Sequence, residues 1–178
     1  MIFDLYVNSA TVASGTFADN GATRGGAIYV DHGAEISGSF SIDTSIFTHN
    51  YASQSGGSLY MVRGSKDQQS ANFVHNSTFQ SNSADSWGGA IYATTSTALY
   101  LNATTFIYNT ALNSTEPGDA IACANSTVNV DSSCDFNYGN FSQLITNIGN
   151  TCVGNIWTHC ACNCTQCVCN FIPFYFCC

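Results

Sequence analysis

Phe79-Gln80-Ser81-Asn82-Ser83-Ala84 leads into Gly88-Gly89-Ala90-Ile91-Tyr92, and the chain says nearly the same thing four more times. Phe17-Ala18-Asp19-Asn20-Gly21-Ala22 precedes Gly25-Gly26-Ala27-Ile28-Tyr29, and Phe47-Thr48-His49-Asn50-Tyr51-Ala52 precedes Gly56-Gly57-Ser58-Leu59-Tyr60. Phe106-Ile107-Tyr108-Asn109-Thr110-Ala111 precedes Gly118-Asp119-Ala120-Ile121-Ala122, and an eroded copy reads Cys134-Asp135-Phe136-Asn137-Tyr138-Gly139. The asparagines at 20, 50, 82, 109 and 137 are 30, 32, 27 and 28 residues apart. A fixed period of this length marks a solenoid or an array, and residue type chooses among them. Ser, Thr, Asn, Gly, Val, Ile, Tyr and Phe favour strands and turns over helices. No window carries helical spacing for three turns, and the leucine pattern of a horseshoe is missing.

With strands averaging about five or six residues, one unit holds three strands and three turns, which is one coil of a right-handed parallel β-helix. Each coil leaves its backbone unpaired above and below, and the next coil, about 4.8 Å away, satisfies it. The fold class read here is therefore an all-β, right-handed parallel β-helix of about five coils. Ile28, Leu59, Ile91 and Ile121 should form an inward aliphatic column, with Tyr29, Tyr60 and Tyr92 on the opposite face by strand parity. Phe17, Phe47, Phe79 and Phe106 should form an internal aromatic column, with Cys134 taking that place in the last coil. Asn20, Asn50, Asn82, Asn109 and Asn137 should stack as a ladder of side-chain amides at a bend. Ala22, Ala52, Ala84, Ala111 and Gly139 are small where the chain turns back. The glycine pairs should supply positive φ or close backbone approach at another corner.

The composition bounds the partners. Only 8% of residues are charged, and three basic residues (Arg24, Arg63, Lys66) face eleven acids for a net charge of −8. A phosphate-binding surface needs clustered Lys and Arg, so nucleic acid is excluded as a partner. No stretch approaches the roughly 20 apolar residues of a membrane span. No cysteine precedes Cys123, and eight of the ten fall at or after Cys152. N-x-S/T acceptors stand at Asn76, Asn102, Asn113, Asn125, Asn140 and Asn163. Together these indicate an oxidising, extracellular or cell-surface setting, a glycoprotein and disulfide bonding. The start, Met1-Ile2-Phe3-Asp4-Leu5-Tyr6-Val7, reads as a strand of a partial coil and not as a signal peptide, so the chain is expected to be a fragment of a longer protein.

Two domains follow from the composition: a β-helix repeat domain over 1–150 and a Cys-rich tail over 151–178. Arg63-Gly64-Ser65-Lys66-Asp67-Gln68-Gln69-Ser70 and Leu112-Asn113-Ser114-Thr115-Glu116-Pro117 read as loops leaving the solenoid. Residues 141–150 are the only candidate for a short cap, and the missing caps point either to a larger parent protein or to end-to-end self-association.

The paired GGAI and F-x-x-N motifs resemble the repeat of the chlamydial polymorphic outer-membrane proteins and of similar right-handed β-helix proteins of protists. Gly25 to Ile28 and Gly88 to Ile91 carry the first motif. Phe17/Asn20, Phe47/Asn50, Phe79/Asn82 and Phe106/Asn109 carry the second, so the resemblance spans about residues 1–140. It implies a surface-exposed autotransporter passenger, with adhesion as the usual role.

The residues themselves leave two function classes. The first is a non-enzymatic, secreted or cell-surface repeat domain for adhesion or surface structure, with a host or cell-surface protein or glycan as partner. The second is a carbohydrate-active β-helix, a pectin lyase or hydrolase acting on cell-wall polysaccharide. Such enzymes need clustered Asp and basic residues. Here the single suggestive cluster is Asp31-His32-Gly33-Ala34-Glu35, with Lys66 or Asp67 brought near by stacking, and a polar corner explains it as well. His49 and His75 read as turn residues beside the ladder. No residue is assigned a catalytic, cofactor-binding or metal role, and no cofactor is expected. The tail, Cys152, Cys160, Cys162, Cys164, Cys167, Cys169, Cys177 and Cys178 with His159, reads as a disulfide knot ahead of a thiophilic metal site. Non-native sequence and a prenylated end are weaker readings of it.

Overall fold

The computed structural model describes residues 2–4, 9–31, 38–62, 70–95, 97–112, 120–131, 133–137, 145–147 and 153–156. These form a parallel β-solenoid with four sheets. Sheet A stacks Ile2–Asp4, Ile28–Asp31, Leu59–Val62, Ile91–Thr94, Ile121–Ala124 and Ile145–Asn147. Sheet B stacks Ser9–Ala13, Ser39–Asp43, Ser70–His75, Thr97–Asn102, Thr127–Val130 and Val153–Ile156. Sheet C holds Thr16–Ala18, Ile46–Thr48, Thr78–Gln80, Thr105–Ile107 and Asp135–Asn137, and sheet D holds Gly21–Arg24, Tyr51–Ser55, Ser83–Ala84 and Thr110–Ala111. Four coils thus carry all four strands; a fifth is described on sheets B, C and A, and Val153–Ile156 follows it on sheet B. The candidate cap contributes Ile145–Asn147 to sheet A as a further strand.

Each coil has four strands where three were expected, because the corners are tighter than average strand length suggests. Between sheets B and C a single residue turns the chain with left-handed φ: Ser14, Thr44, Asn76 and Ala103. Between C and D the same device uses Asp19, His49, Ser81 and Tyr108, at φ of 52 to 55°. Non-glycine residues avoid this region at a cost of about 1–2 kcal/mol each. Hydrogen bonds between coils hold them there, as from the N–H of Asp19 to the Thr48 carbonyl at 3.1 Å and from that of His49 to Gln80 at 3.1 Å.

The glycine pairs divide the two jobs foreseen for them. The first glycine has left-handed φ at Gly25, Gly56 and Gly88. The second permits close approach: a Cβ on Gly57 would run into the carbonyl oxygens of Gly89 and Ser83.

The core is a set of columns. Ile28, Leu59, Ile91 and Ile121 are fully buried and in register, with Val30, Met61, Ala93 and Cys123 beside them. Sheet B adds Phe40, Ile42, Val74, Leu99, Leu101, Val128 and Val130. Phe17, Phe47, Phe79, Phe106 and Phe136 stack with centroids 4.7 to 5.2 Å apart and planes within 9°. That spacing is the strand spacing, so each ring lies flat on the next.

The fifth coil corrects the sequence reading. Phe136, not Cys134, continues the aromatic column, and Asn137 pairs with Ile107 and not with Asn109. From Ile42, Val74 and Leu101 to the following phenylalanine is five residues; from Val130 to Phe136 it is six. The extra residue falls at the corner, where Ser133 donates from N–H and hydroxyl to Asp131 Oδ1 at 2.8 and 2.7 Å. Ser133 Oγ in turn accepts the Ala103 N–H at 2.8 Å.

Candidate functional site

Four of the five expected amides form the ladder. Asn50 Oδ1 accepts the Asn20 N–H at 3.1 Å and Asn20 Nδ2 at 2.9 Å. Asn50 Nδ2 donates to the Phe17 carbonyl at 3.0 Å and to Asn82 Oδ1 at 3.0 Å. A primary amide has two donors and two acceptor sites, and all four are used. Asn82 repeats the pattern with Asn50 above, Asn109 below and the Phe47 carbonyl. Asn50, Asn82 and Asn109 are fully buried, whereas Asn20 is exposed at the end. The ladder is therefore wall and not binding surface.

A second ladder escaped the sequence reading. The hydroxyl of Ser45 accepts the Gly15 N–H at 3.0 Å, and that of Ser77 accepts the Ser45 N–H at 3.1 Å. Ser77 and Thr104 also donate to the carbonyls of His75 at 2.6 Å and Asn102 at 2.9 Å. Cys134 takes the next place in this column, since Asp135 pairs with Thr105. Burial pushes the Cys134 thiol above its ordinary range, and the Thr104 N–H pulls the other way. The hydroxyl two residues before Phe47, Phe79 and Phe106, at Ser45, Ser77 and Thr104, was the available signal, with Gly15 and Cys134 in that place before Phe17 and Phe136. It also bears on the acceptors. Asn76, Asn102 and Asn125 all stand exposed at corners, and the hydroxyl that completes the Asn102 triplet, on Thr104, is buried in this ladder. Asn113, Asn140 and Asn163 lie outside the described residues.

What remains for function is the outside. On sheet A, Tyr29, Tyr60 and Tyr92 line up as parity required, with centroids 5.2 Å apart. Arg24 lies 5.5 Å over the Tyr60 ring and donates from Nε to Gln54 at 2.8 Å. Burial raises the Tyr60 pKa, against the opposing pull of Arg24. On sheet B, Phe73 stacks between His75 at 5.7 Å and Tyr100 at 5.3 Å. These rings cover one another's faces, so they offer mainly edges and hydroxyls outward. Sheet C shows Thr16, Ile46, Thr78 and Thr105 in one row.

The carboxylates are spread out. Asp43 accepts Asn76 Nδ2 at 3.2 Å, and Asp85 accepts the Tyr51 hydroxyl at 2.8 Å. That bond is the main cause of a raised Tyr51 pKa. The Ser133 hydroxyl and then its N–H lower the pKa of Asp131. Asp31 ends a strand of sheet A, while His32, Gly33, Ala34 and Glu35 lie outside the described residues, as do Lys66, Asp67 and the tail cysteines with His159. His49 occupies a corner, its Nδ1 2.9 Å from Thr48 Oγ1. Among the described residues no three His, Cys, Asp or Glu side chains group to hold a metal ion, and no helix is long and apolar enough to cross a membrane.

No curated protein and no solved structure matches the chain. The family model of the Chlamydia polymorphic membrane protein (Chlamydia_PMP) repeat matches residues 14–31 and 76–94. Both stretches begin at the left-handed corner before sheet C, at Ser14 and Asn76, and run through the phenylalanine, the ladder asparagine and the glycine pair to a strand of sheet A. The chain is thus a parallel β-solenoid whose first and third coils resemble the Chlamydia polymorphic membrane protein repeat.

Proposed function

We propose that this chain is a non-enzymatic solenoid domain, secreted or displayed at a cell surface, that serves adhesion or surface structure. The observation that carries the reading is the division of labour in the wall. Inward positions are committed to columns and ladders. Outward positions present hydroxyls, amides and aromatic edges in rows about 4.8 Å apart. Such rows suit many weak, parallel contacts to a cell-surface protein or glycan better than one catalytic centre. The match to a membrane-protein repeat supports the location. Three described carboxylates, at Asp43, Asp85 and Asp131, are engaged by neighbouring side chains, which weakens the polysaccharide-cleaving alternative.

The experiment is antibody labelling of intact and permeabilised cells of the source, paired with binding of purified chain to those surfaces. Labelling of intact cells and saturable binding support the proposal. Labelling only after permeabilisation overturns the location, and release of reducing ends from polysaccharide overturns the non-enzymatic role.

A further inference from the structure

We propose that Asn76, Asn102 and Asn125 carry N-linked oligosaccharides, which flank sheet B on both edges and cover its outer face. The inference rests on the secreted or surface location proposed above. Each of the three opens an N-x-T triplet, closed by Thr78, Thr104 and Thr127. Such triplets accept sugar in a secretory pathway.

The fold separates these asparagines from the buried ones. All three stand exposed. Asn76 and Asn125 turn corners with left-handed φ of 48 and 51°, and Asn102 ends its strand of sheet B. The fully buried asparagines among the described residues are Asn50, Asn72, Asn82 and Asn109. Two residues after each stands Ala52, Val74, Ala84 or Ala111, so none of them is an acceptor. A hydroxyl at 52, 84 or 111 would make a ladder amide an acceptor, and its sugar would have to sit inside the wall. Among the described residues, the hydroxyl at this offset follows only asparagines that face solvent.

Neighbouring bonds leave the nitrogen usable. Nδ2 of Asn76 keeps a second N–H beside the one given to Asp43 Oδ1 at 3.2 Å, and Ser133 Oγ meets Asn102 at Oδ1, 3.5 Å away. The step balances with an oligosaccharide linked through its anomeric carbon to a lipid diphosphate. Nδ2 bonds to that carbon and gives up one proton to water. The carbon–oxygen bond to the diphosphate breaks, and the diphosphate leaves with the electron pair. The transferring enzyme reads the hydroxyl of the third residue; Thr104 is fully buried, so Asn102 is modified before its coil closes.

Position gives the consequence. Asn102 pairs with His75, the residue before Asn76, so two sugars leave the edge next to sheet C from adjacent coils. Asn125 stands across the sheet, at the corner next to sheet A. Tyr100, paired with Phe73, lies two residues before Asn102 and on the same face. A sugar attached about 7 Å away covers these rings. The contacts proposed above then fall to the faces away from sheet B.

The test takes the full chain from the surface or medium of its source cells. N-linked sugar is cleaved enzymatically in heavy-oxygen water, and the asparagines thereby converted to aspartate are mapped by mass spectrometry. Label should mark Asn76, Asn102 and Asn125 and spare Asn50, Asn82 and Asn109. Thr78→Ala, Thr127→Ala and Asn102→Gln should each remove one glycan; the first two keep the asparagine at its left-handed corner. Iodination then reads the cover. Tyr100, 41% exposed, should label several-fold faster once the sugar is removed, whereas Tyr108, 60% exposed between sheets C and D, should label alike before and after. Surface protein that is bare at any of the three sites overturns that assignment and leaves the location standing. Label on a ladder asparagine overturns the separation, and equal iodination of Tyr100 overturns the cover.

Discussion

Replacing Asn82 by alanine should break the wall at its middle. The side chain accepts from Asn50 N–H at 2.9 Å and Asn50 Nδ2 at 3.0 Å, and it donates to the Phe47 carbonyl at 3.0 Å. Asn109 Oδ1 keeps one donor, the Asn82 N–H at 3.1 Å. Three buried groups are therefore orphaned, at about 1–3 kcal/mol apiece. One water entering the amide-sized gap can satisfy part of this, which leaves a loss of about 3–5 kcal/mol. The matched control is Asn20→Ala at the exposed end, where Asn50 Oδ1 retains the backbone N–H at 3.1 Å. That change should cost less than about 1 kcal/mol. Urea unfolding followed by tryptophan fluorescence gives the midpoints. Coils of a solenoid can unfold separately, so exchange of the Asn50 N–H supplies the local reading. Asn82→Asp adds a sign. A carboxyl among buried acceptors is held above its ordinary pKa, so the variant should be most stable below the free carboxyl pKa and weaken as pH rises. Equal losses for Asn82→Ala and Asn20→Ala, with the Asn50 N–H still protected, would refute the ladder as the main brace.

Phe79→Ala removes a ring held between Phe47 at 4.7 Å and Phe106 at 5.2 Å; a loss of about 3–5 kcal/mol is expected by calorimetry or denaturant. Gly57→Ala should abolish or grossly weaken folding, because the new methyl meets backbone, whereas Gly21→Ala should leave the melting temperature nearly unchanged. Cys134 should alkylate with a pH profile displaced above that of a free thiol, since burial disfavours its thiolate. Folding favours the neutral thiol, so its contribution is full below the free-thiol pKa and is lost as pH rises through the folded value; an undisplaced profile counts against the hydroxyl-ladder position given to it.

The repeat itself was decisive for the fold. Ile28, Leu59, Ile91 and Ile121, the phenylalanines and the asparagines at 20, 50, 82 and 109 are specified by type, because an inward column admits only what can stack or be fully hydrogen-bonded at one coil spacing. The outward tyrosines followed from parity alone. Pairings across coils, such as Arg24 with Gln54 and Tyr51 with Asp85, could not be read, since they depend on register between residues 30 or more apart. Nor could the extra strand per coil. Its corners are turned by Asp19, His49, Ser81 and Tyr108, which share no chemistry. There the left-handed backbone is imposed by bonds to the next coil, so residue type carries no trace of it. The same cause misplaced the last coil: Cys134 to Asn137 imitates the motif, and only the stacking of Phe136 on Phe106 shows that one residue had been inserted at the corner before it. Local chemistry therefore wrote the columns, and the contacts between coils set how the chain bends from one to the next.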